Sequence, residues 1–235
     1  LWLVNVPKPR VKESTFRGYQ TDVRRHLMPF FGSRFLDEVR QEDVETFLSQ
    51  LMEKKGRGRD KCDKKLDPKT INNIRVTLSM VFDYARRLKY IQENPVADIR
   101  PFKVEKEEMD FLEPYEIRLL LKHAREPFKT LFMTAIMTGM RRAELAALQW
   151  GDIDWRLNTI FVRRSLYWRM KKDVSEGEKR WKFVTPKSKR SVRGIVMSPM
   201  LKEALEIHRL TSRFSPDDLV FCSTTGGPMD MDNMY

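Results

Sequence analysis

The residues of this 235-residue chain best suited to chemistry are gathered in one segment, Thr138-Gly139-Met140-Arg141-Arg142-Ala143-Glu144-Leu145-Ala146-Ala147-Leu148-Gln149-Trp150-Gly151-Asp152-Ile153-Asp154. Its spacing predicts a helix entered through a glycine turn, with Arg141 in the first turn and Leu145 and Leu148 facing the core. Glu144 follows three residues later on the same face, where its carboxylate can orient the Arg141 guanidinium. An arginine held in this way suits a phosphodiester. Its planar fork donates two parallel hydrogen bonds to nonbridging oxygens and stays charged throughout a reaction. A lone Arg-x-x-Glu pair is common on helix surfaces, but the long ordered pattern around this one is not accounted for by surface polarity.

The charge balance points the same way. Lys and Arg number 45 against 33 Asp and Glu, a net charge of +12, which favours a polyanionic partner. Residues 163–193 hold twelve basic and three acidic side chains, with Tyr167, Trp168 and Trp181 interleaved. A solvated hairpin face is the ordinary reading of such a run. Single-signed charge with aromatics between is also what a surface meeting phosphate and sugar requires, so Arg164, Arg169, Lys189 and Arg190 are candidate nucleic-acid contacts. Asn72, Arg75, Ser79 and Arg86 fall at offsets 0, 3, 7 and 14 on one flank of a helix. That spacing fits a flank against a DNA groove and ordinary solvated polarity equally well.

Other classes are excluded by composition and pattern. No uncharged apolar run approaches the roughly 18 residues of a membrane span. Cys62 and Cys222 form no CxxC and have no His at ligand spacing, so neither a disulfide framework nor a zinc site is expected. A soluble cytoplasmic protein without metal or membrane follows. P-loop, HExxH and zinc-finger patterns are missing.

The elements that must position these residues fall into two groups. Phe16, Tyr19, Val23, Leu27 and Phe30 predict one amphipathic helix, ended by Pro29 and Gly32, and Val44, Phe47, Leu48 and Leu51 a second. A basic loop from Lys54 to Lys69 precedes a long helix opened by Asp67-Pro68 and carrying Ile71, Ile74, Leu78, Val81, Phe82 and Ala85. After the charged stretch 101–110, one helix buries Ile117, Leu120, Leu121 and Ala124, and another, from Phe128, stops at Gly139. The runs TIFVR, RWKFVTP and VRGIVM predict a small antiparallel sheet. Ser198-Pro199 caps a helix bearing Leu201, Leu205 and Ile207, and Leu219 to Phe221 is a short strand candidate. The expected organisation is a linker at 1–13, an all-α bundle at 14–100, a linker at 101–110 and a mixed α+β domain at 111–235.

The Thr138 to Asp154 segment resembles the TGxRxxELxxLxWxDID signature of the tyrosine recombinase (phage integrase) family. Thr185-Pro186-Lys187-Ser188-Lys189-Arg190-Ser191-Val192-Arg193 is similar to the turn that carries that family's catalytic lysine, and DPKTINNIRVTLSMVFDYARRLKYIQENP resembles the last long helix of its SAM-like core-binding domain. The resemblance implies a helical core-binding domain followed by the mixed catalytic domain, the two clamping double-stranded DNA. It implies site-specific cleavage and rejoining through a 3′-phosphotyrosyl link, with no cofactor, by a bacterial or phage-encoded protein of a mobile element. Arg141 would grip the scissile phosphate with Glu144 in support, and Lys187, with Lys189 as fallback, would protonate the leaving 5′-oxygen. A tetramer on paired DNA sites is implied as well.

The family's HxxR box and nucleophilic tyrosine have no counterpart here. His26, His123 and His208 are not followed three residues later by Arg, and Tyr235 precedes the place of the nucleophile. His26 and His208 are expected to face solvent. On this reading the chain is a C-terminally truncated recombinase that binds DNA without cutting it. The alternative is a non-enzymatic DNA-binding or regulatory protein.

Overall fold

The computed structural model describes residues 2–5, 10–54, 65–105, 108–170, 173–186 and 191–231, and divides into two units, Leu1–Met109 and Asp110–Tyr235. Cys62, Lys187, Lys189, Arg190 and Tyr235, named above from sequence, lie outside the described residues.

The first unit is helical: α1 (Trp2–Asn5), α2 (Glu13–Asp22), α3 (Met28–Phe31), α4 (Gln41–Glu53) and α5 (Pro68–Arg87). The segment read from sequence as a terminal linker contributes α1, whose Trp2 is buried against Tyr19 at 5.5 Å. Between α2 and α3, residues Val23–Leu27 form one wide π-turn in which the Met28 N–H donates to the Val23 carbonyl. Pro29 does not end this helix, as the sequence suggested. A proline ring clashes with the carbonyl four residues back, here Arg25, and the wide turn makes room for it. The Arg25 carbonyl accepts instead from Lys54 Nζ at 3.2 Å, and the helix runs on to Gly32. In α5 the Asp67 side chain accepts from the Lys69 N–H at 2.7 Å, capping the first turn ahead of Pro68. Its apolar stripe, Ile71, Ile74, Leu78 and Phe82, packs on Val44, Phe47, Leu48 and Leu51 of α4 and on Leu27.

The second unit comprises α6 (Pro114–His123), α7 (Phe128–Thr138), α8 (Arg142–Leu145), a 3-10 turn (Trp150–Asp152), β1 (Ile153–Asp154), β2 (Thr159–Val162), β3 (Ser165–Trp168), β4 (Trp181–Val184), β5 (Arg193–Val196) and α9 (Pro199–Thr211). Two antiparallel sheets take the place of the one expected. They are β1-β2-β5, with Val162 opposite Arg193, and the hairpin β3-β4 inserted between β2 and β5. Leu131, Leu145, Leu148, Ile160, Val162, Leu201, Leu205, Val220 and Phe221 form the core.

Two burial expectations are corrected. Ile117, Leu120 and Leu121 of α6 are half-buried, because the helix lies on the edge of the unit against α7 and has no fully buried residue. In α9 the buried stripe is Leu201, Leu205 and His208, while Ile207 is exposed. Steps of four and then three keep one face, and position 207 lies off it. His208, expected in solvent, is buried. Its Nε2 lies 2.8 Å from the Val220 carbonyl, and its ring stacks on Phe221 at 5.3 Å.

Candidate phosphate-binding site

The site begins where α7 stops. Gly139 has φ +60, a left-handed conformation that glycine adopts without Cβ strain, and its N–H closes the helix on the Ala135 carbonyl. The chain then turns through buried Met140 into Arg141, which is extended (φ −67, ψ 149) at the N-cap of α8 rather than inside its first turn.

This placement decides how Glu144 is used. Its Oε2 accepts the Arg141 backbone N–H at 3.0 Å and its Oε1 accepts Arg141 Nη1 at 2.7 Å, so a single carboxylate caps α8 and anchors the guanidinium. Arg193, the first residue of β5, donates from Nη2 to Glu144 Oε2 at 3.1 Å and from Nη1 to the Ser191 carbonyl at 3.1 Å. Ser191 Oγ in turn accepts from Arg141 Nη1 at 3.2 Å. The Glu144 side chain is 2% exposed, that of Arg193 29% and that of Arg141 61%. Burial pushes the Glu144 carboxyl upward, but the Arg141 N–H and the Arg193 and Arg141 guanidiniums outweigh it and hold the group below the usual carboxylate range. Both side-chain bonds of Arg141 use Nη1. Among the described residues its Nε and Nη2 have no hydrogen-bond partner, and the side chain as a whole is exposed.

A second buried carboxylate, Asp152, lies near the end of the same segment. Asp152 accepts from the Gln149 N–H at 3.1 Å, from Arg164 at 2.5 Å and from Arg163 at 3.4 Å. Arg164 also donates to the Gln149 side chain, and its own side chain is 25% exposed. Gln149 Nε2 reaches the Asp217 carbonyl at 2.7 Å, and the Trp150 N–H and Val220 N–H bond the Asp218 and Leu148 carbonyls, each at 2.9 Å. The end of the Arg141 segment is thus fastened to the 217–221 segment.

With this geometry in view, the phage integrase family model matches residues 110–235, and a phage integrase N-terminal SAM-like domain model matches residues 1–52. The chain belongs to the phage integrase family. Its curated relatives include the ICEBs1 integrase of Bacillus subtilis (strain 168), 27% identical over 198 residues, and an integrase of Saccharopolyspora erythraea, 29% identical over 168 residues. The alignments cover 83% and 70% of this chain but 49% and 36% of those relatives, so the chain spans half of their length or less. Among solved structures, the Tn1549 transposon integrase in complex with transposon right end DNA has a TM-score of 0.76 at 22% identity, over 94% of this chain and 69% of that one. A lambda integrase tetramer bound to a Holliday junction has a TM-score of 0.63 at 17% identity, over 94% of this chain and 57% of that one. At these identities the likeness is one of fold.

On the integrase fold, the residues singled out from sequence separate. Arg141 and Glu144 come together as expected. The flank of α5 is tied within its own unit: Asn72 exchanges two hydrogen bonds with the Phe102 backbone, both 2.9 Å, and Arg75 donates to the Ile99 carbonyl at 2.9 Å. Ser79 accepts from Asn94 at 3.1 Å. These side chains pin residues 94–102 along α5, and only Arg86, exposed and paired with Asp83 at 3.2 Å, extends from that flank into solvent. In the hairpin, Arg169 bonds Glu178 at 2.9 Å and the Lys179 carbonyl. Trp168 and Trp181, expected at a sugar-phosphate surface, meet at 5.8 Å and pack on Ala146, Ala147 and Leu166 beneath the hairpin. Charge and aromatic spacing do not separate such internal ties from contacts to a partner. Sequence reasoning missed Ser191 and Arg193 as parts of the Arg141 site, because β5 meets α8 only in the folded unit.

Proposed function

We propose that this chain supplies the DNA-binding core and the Arg141 part of the active site of a site-specific DNA recombinase. The observation that carries the reading is Arg141, whose guanidinium is tied by one nitrogen to a buried carboxylate while its side chain stays exposed and its other edge has no partner among the described residues. An arginine serving the fold alone resembles Arg164, which is turned inward onto Asp152 and Gln149. Arg141 can instead meet two nonbridging phosphate oxygens with a fork already oriented, which is how charge developing on a phosphorane-like transition state is stabilised. Lys187, which the resemblance assigns to the family's catalytic lysine, is the proposed donor of the proton to the 5′-oxygen, with Lys189 as its alternative. Arg86, Lys189 and Arg190 are proposed DNA contacts. Asn72, Arg75, Arg164 and Arg169 act through the fold that presents them. The DNA complexes of the Tn1549 and lambda integrases support duplex DNA as the partner and a tetramer on paired sites as the working assembly.

None of the three histidines is followed three positions later by arginine. That favours a second reading of these 235 residues taken alone, as a DNA-occupying or regulatory protein that does not cut. Duplex binding measured between 50 and 300 mM salt tests the first part: about six to ten neutralised phosphates give a log–log slope of roughly −0.9 per contact, and a flat response refutes DNA clamping. A nicked duplex tests the second. No covalent adduct is expected from this chain, and a 3′-phosphotyrosyl adduct would overturn the non-cutting reading.

A further inference from the structure

We infer that Arg193 and Ser191 are positioning residues for Arg141, closing a ring of hydrogen bonds that aims its free edge and leaves a positive charge there. The inference rests on the proposed role of Arg141 in gripping phosphate. The ring runs from Arg141 Nη1 to Glu144 Oε1 (2.7 Å), from Glu144 Oε2 to Arg193 Nη2 (3.1 Å), from Arg193 Nη1 to the Ser191 carbonyl (3.1 Å), and from Ser191 Oγ back to Arg141 Nη1 (3.2 Å). Ser191 is buried, and Arg193 is fixed by its backbone pairing opposite Val162, so two members of the ring are set by the fold itself.

Charge explains why a second arginine is needed. Glu144 alone would neutralise Arg141 and blunt its attraction for a phosphate. With Arg193 on the other carboxylate oxygen, the three groups sum to +1, and the most exposed member of the three is Arg141. Ser191 then fixes the rotation of the guanidinium about its bond to Glu144, so that a single Nη is used and the opposite edge is presented.

A double-mutant cycle on duplex binding by this chain tests the assignment, with a 20-base-pair duplex as probe and the Arg141 Nε–Hε resonance as a second readout. Arg141→Ala is expected to weaken binding roughly tenfold, the effect of one charge-assisted bond. Arg193→Ala is expected to weaken it to a similar degree. The double variant should bind no more weakly than Arg141→Ala, because Arg193 acts through Arg141. Ser191→Ala should reduce the shift of the Arg141 Nε–Hε resonance on adding duplex, and Arg193→Lys, which keeps the charge but not the fork, should restore part of the affinity. Should Arg193→Ala fail to fold, Arg193→Lys and Ser191→Ala carry the same comparison. Losses that add in the double variant, or an Arg141 resonance that responds to duplex unchanged in Ser191→Ala and Arg193→Lys, overturn the positioning role and leave DNA binding standing. Failure of the unmutated chain to bind the duplex overturns the DNA-binding reading and this inference with it.

Discussion

Replacing Glu144 with Gln removes one charge and almost no volume, and the structure sets the size of the effect. Three donors converge on the carboxylate: the Arg141 N–H, Arg141 Nη1 and Arg193 Nη2. A carboxamide has one acceptor oxygen. Placed at the Oε2 position it keeps the cap and the Arg193 bond, and its NH2 then faces Arg141 Nη1. One charge-assisted bond is lost, at about 1.5–3 kcal/mol, and the two that remain are weakened. Arg141 is exposed enough to recover water, which limits its own desolvation cost. The expected sum is about 2–3 kcal/mol, or roughly 6–15 °C in the melting temperature of a unit of this size. Four of the five tryptophans, Trp150, Trp155, Trp168 and Trp181, lie in residues 110–235, so fluorescence melting reports this unit. The effect has a pH signature. Because the folded structure holds the Glu144 carboxyl below its ordinary value of 4.5, its stabilisation is full above that value and is lost as pH falls through the lowered one. Wild type and Glu144→Gln should therefore differ at pH 7 and converge in acid. A difference under 2 °C at pH 7, or one that persists undiminished in acid, would refute the assignment of Glu144 as a charged anchor.

Three further outcomes are expected. An added Cβ at Gly139 would meet no atom within 4 Å, so Gly139→Ala should cost only the left-handed strain, about 1–2 kcal/mol in a urea melt; no loss would show that the turn relaxes. His208→Ala strands the buried Val220 carbonyl and opens a cavity beside Phe221, and should lower stability by about 3 kcal/mol in the same assay; a loss below 1 kcal/mol would count against its place in the core. Burial raises the Asp22 carboxyl above its ordinary value, against the lowering effect of the Thr77 hydroxyl and His26. Asp22 thus favours the folded state when protonated and loses that contribution as pH rises. Asp22→Asn, which keeps an acceptor for Thr77, should melt above wild type at pH 7 and level with it near pH 3, and the opposite order would refute the reading.

What could be read from the chain depended on whether partners were near in sequence. Helix α5 was legible because Asp67, Pro68 and its stripe are a local code for start, direction and buried face. The break at Gly139 and the Arg141–Glu144 pair were legible for the same reason. Strand β3 was not, because Ser165–Trp168 is flanked by arginines and merged into a basic run. The internal partners of Asn72, Arg75 and Arg164 were not legible for one reason: a polar side chain carries no mark of whether it meets solvent, phosphate or a carbonyl 24 to 30 residues along the chain, as for Arg75 and Asn72. His208 was misplaced because its type outweighed its position, although its spacing from Leu201 and Leu205 already put it on the inner face.

The two halves of the ring around Glu144 leave the ribosome at different times. Arg193 lies 49 residues beyond Glu144, and Ser191 lies 50 beyond Arg141. At synthesis rates of about 5–20 residues per second, roughly 3–10 seconds separate the appearance of the two halves. Through that interval α8 has its cap but its carboxylate lacks one of its two guanidinium partners, and nothing fixes the rotation of Arg141. Strand β5 joins the sheet and finishes the grip in one step, so a nascent chain gains its oriented guanidinium before α9 and residues 219–221 have been added to the core.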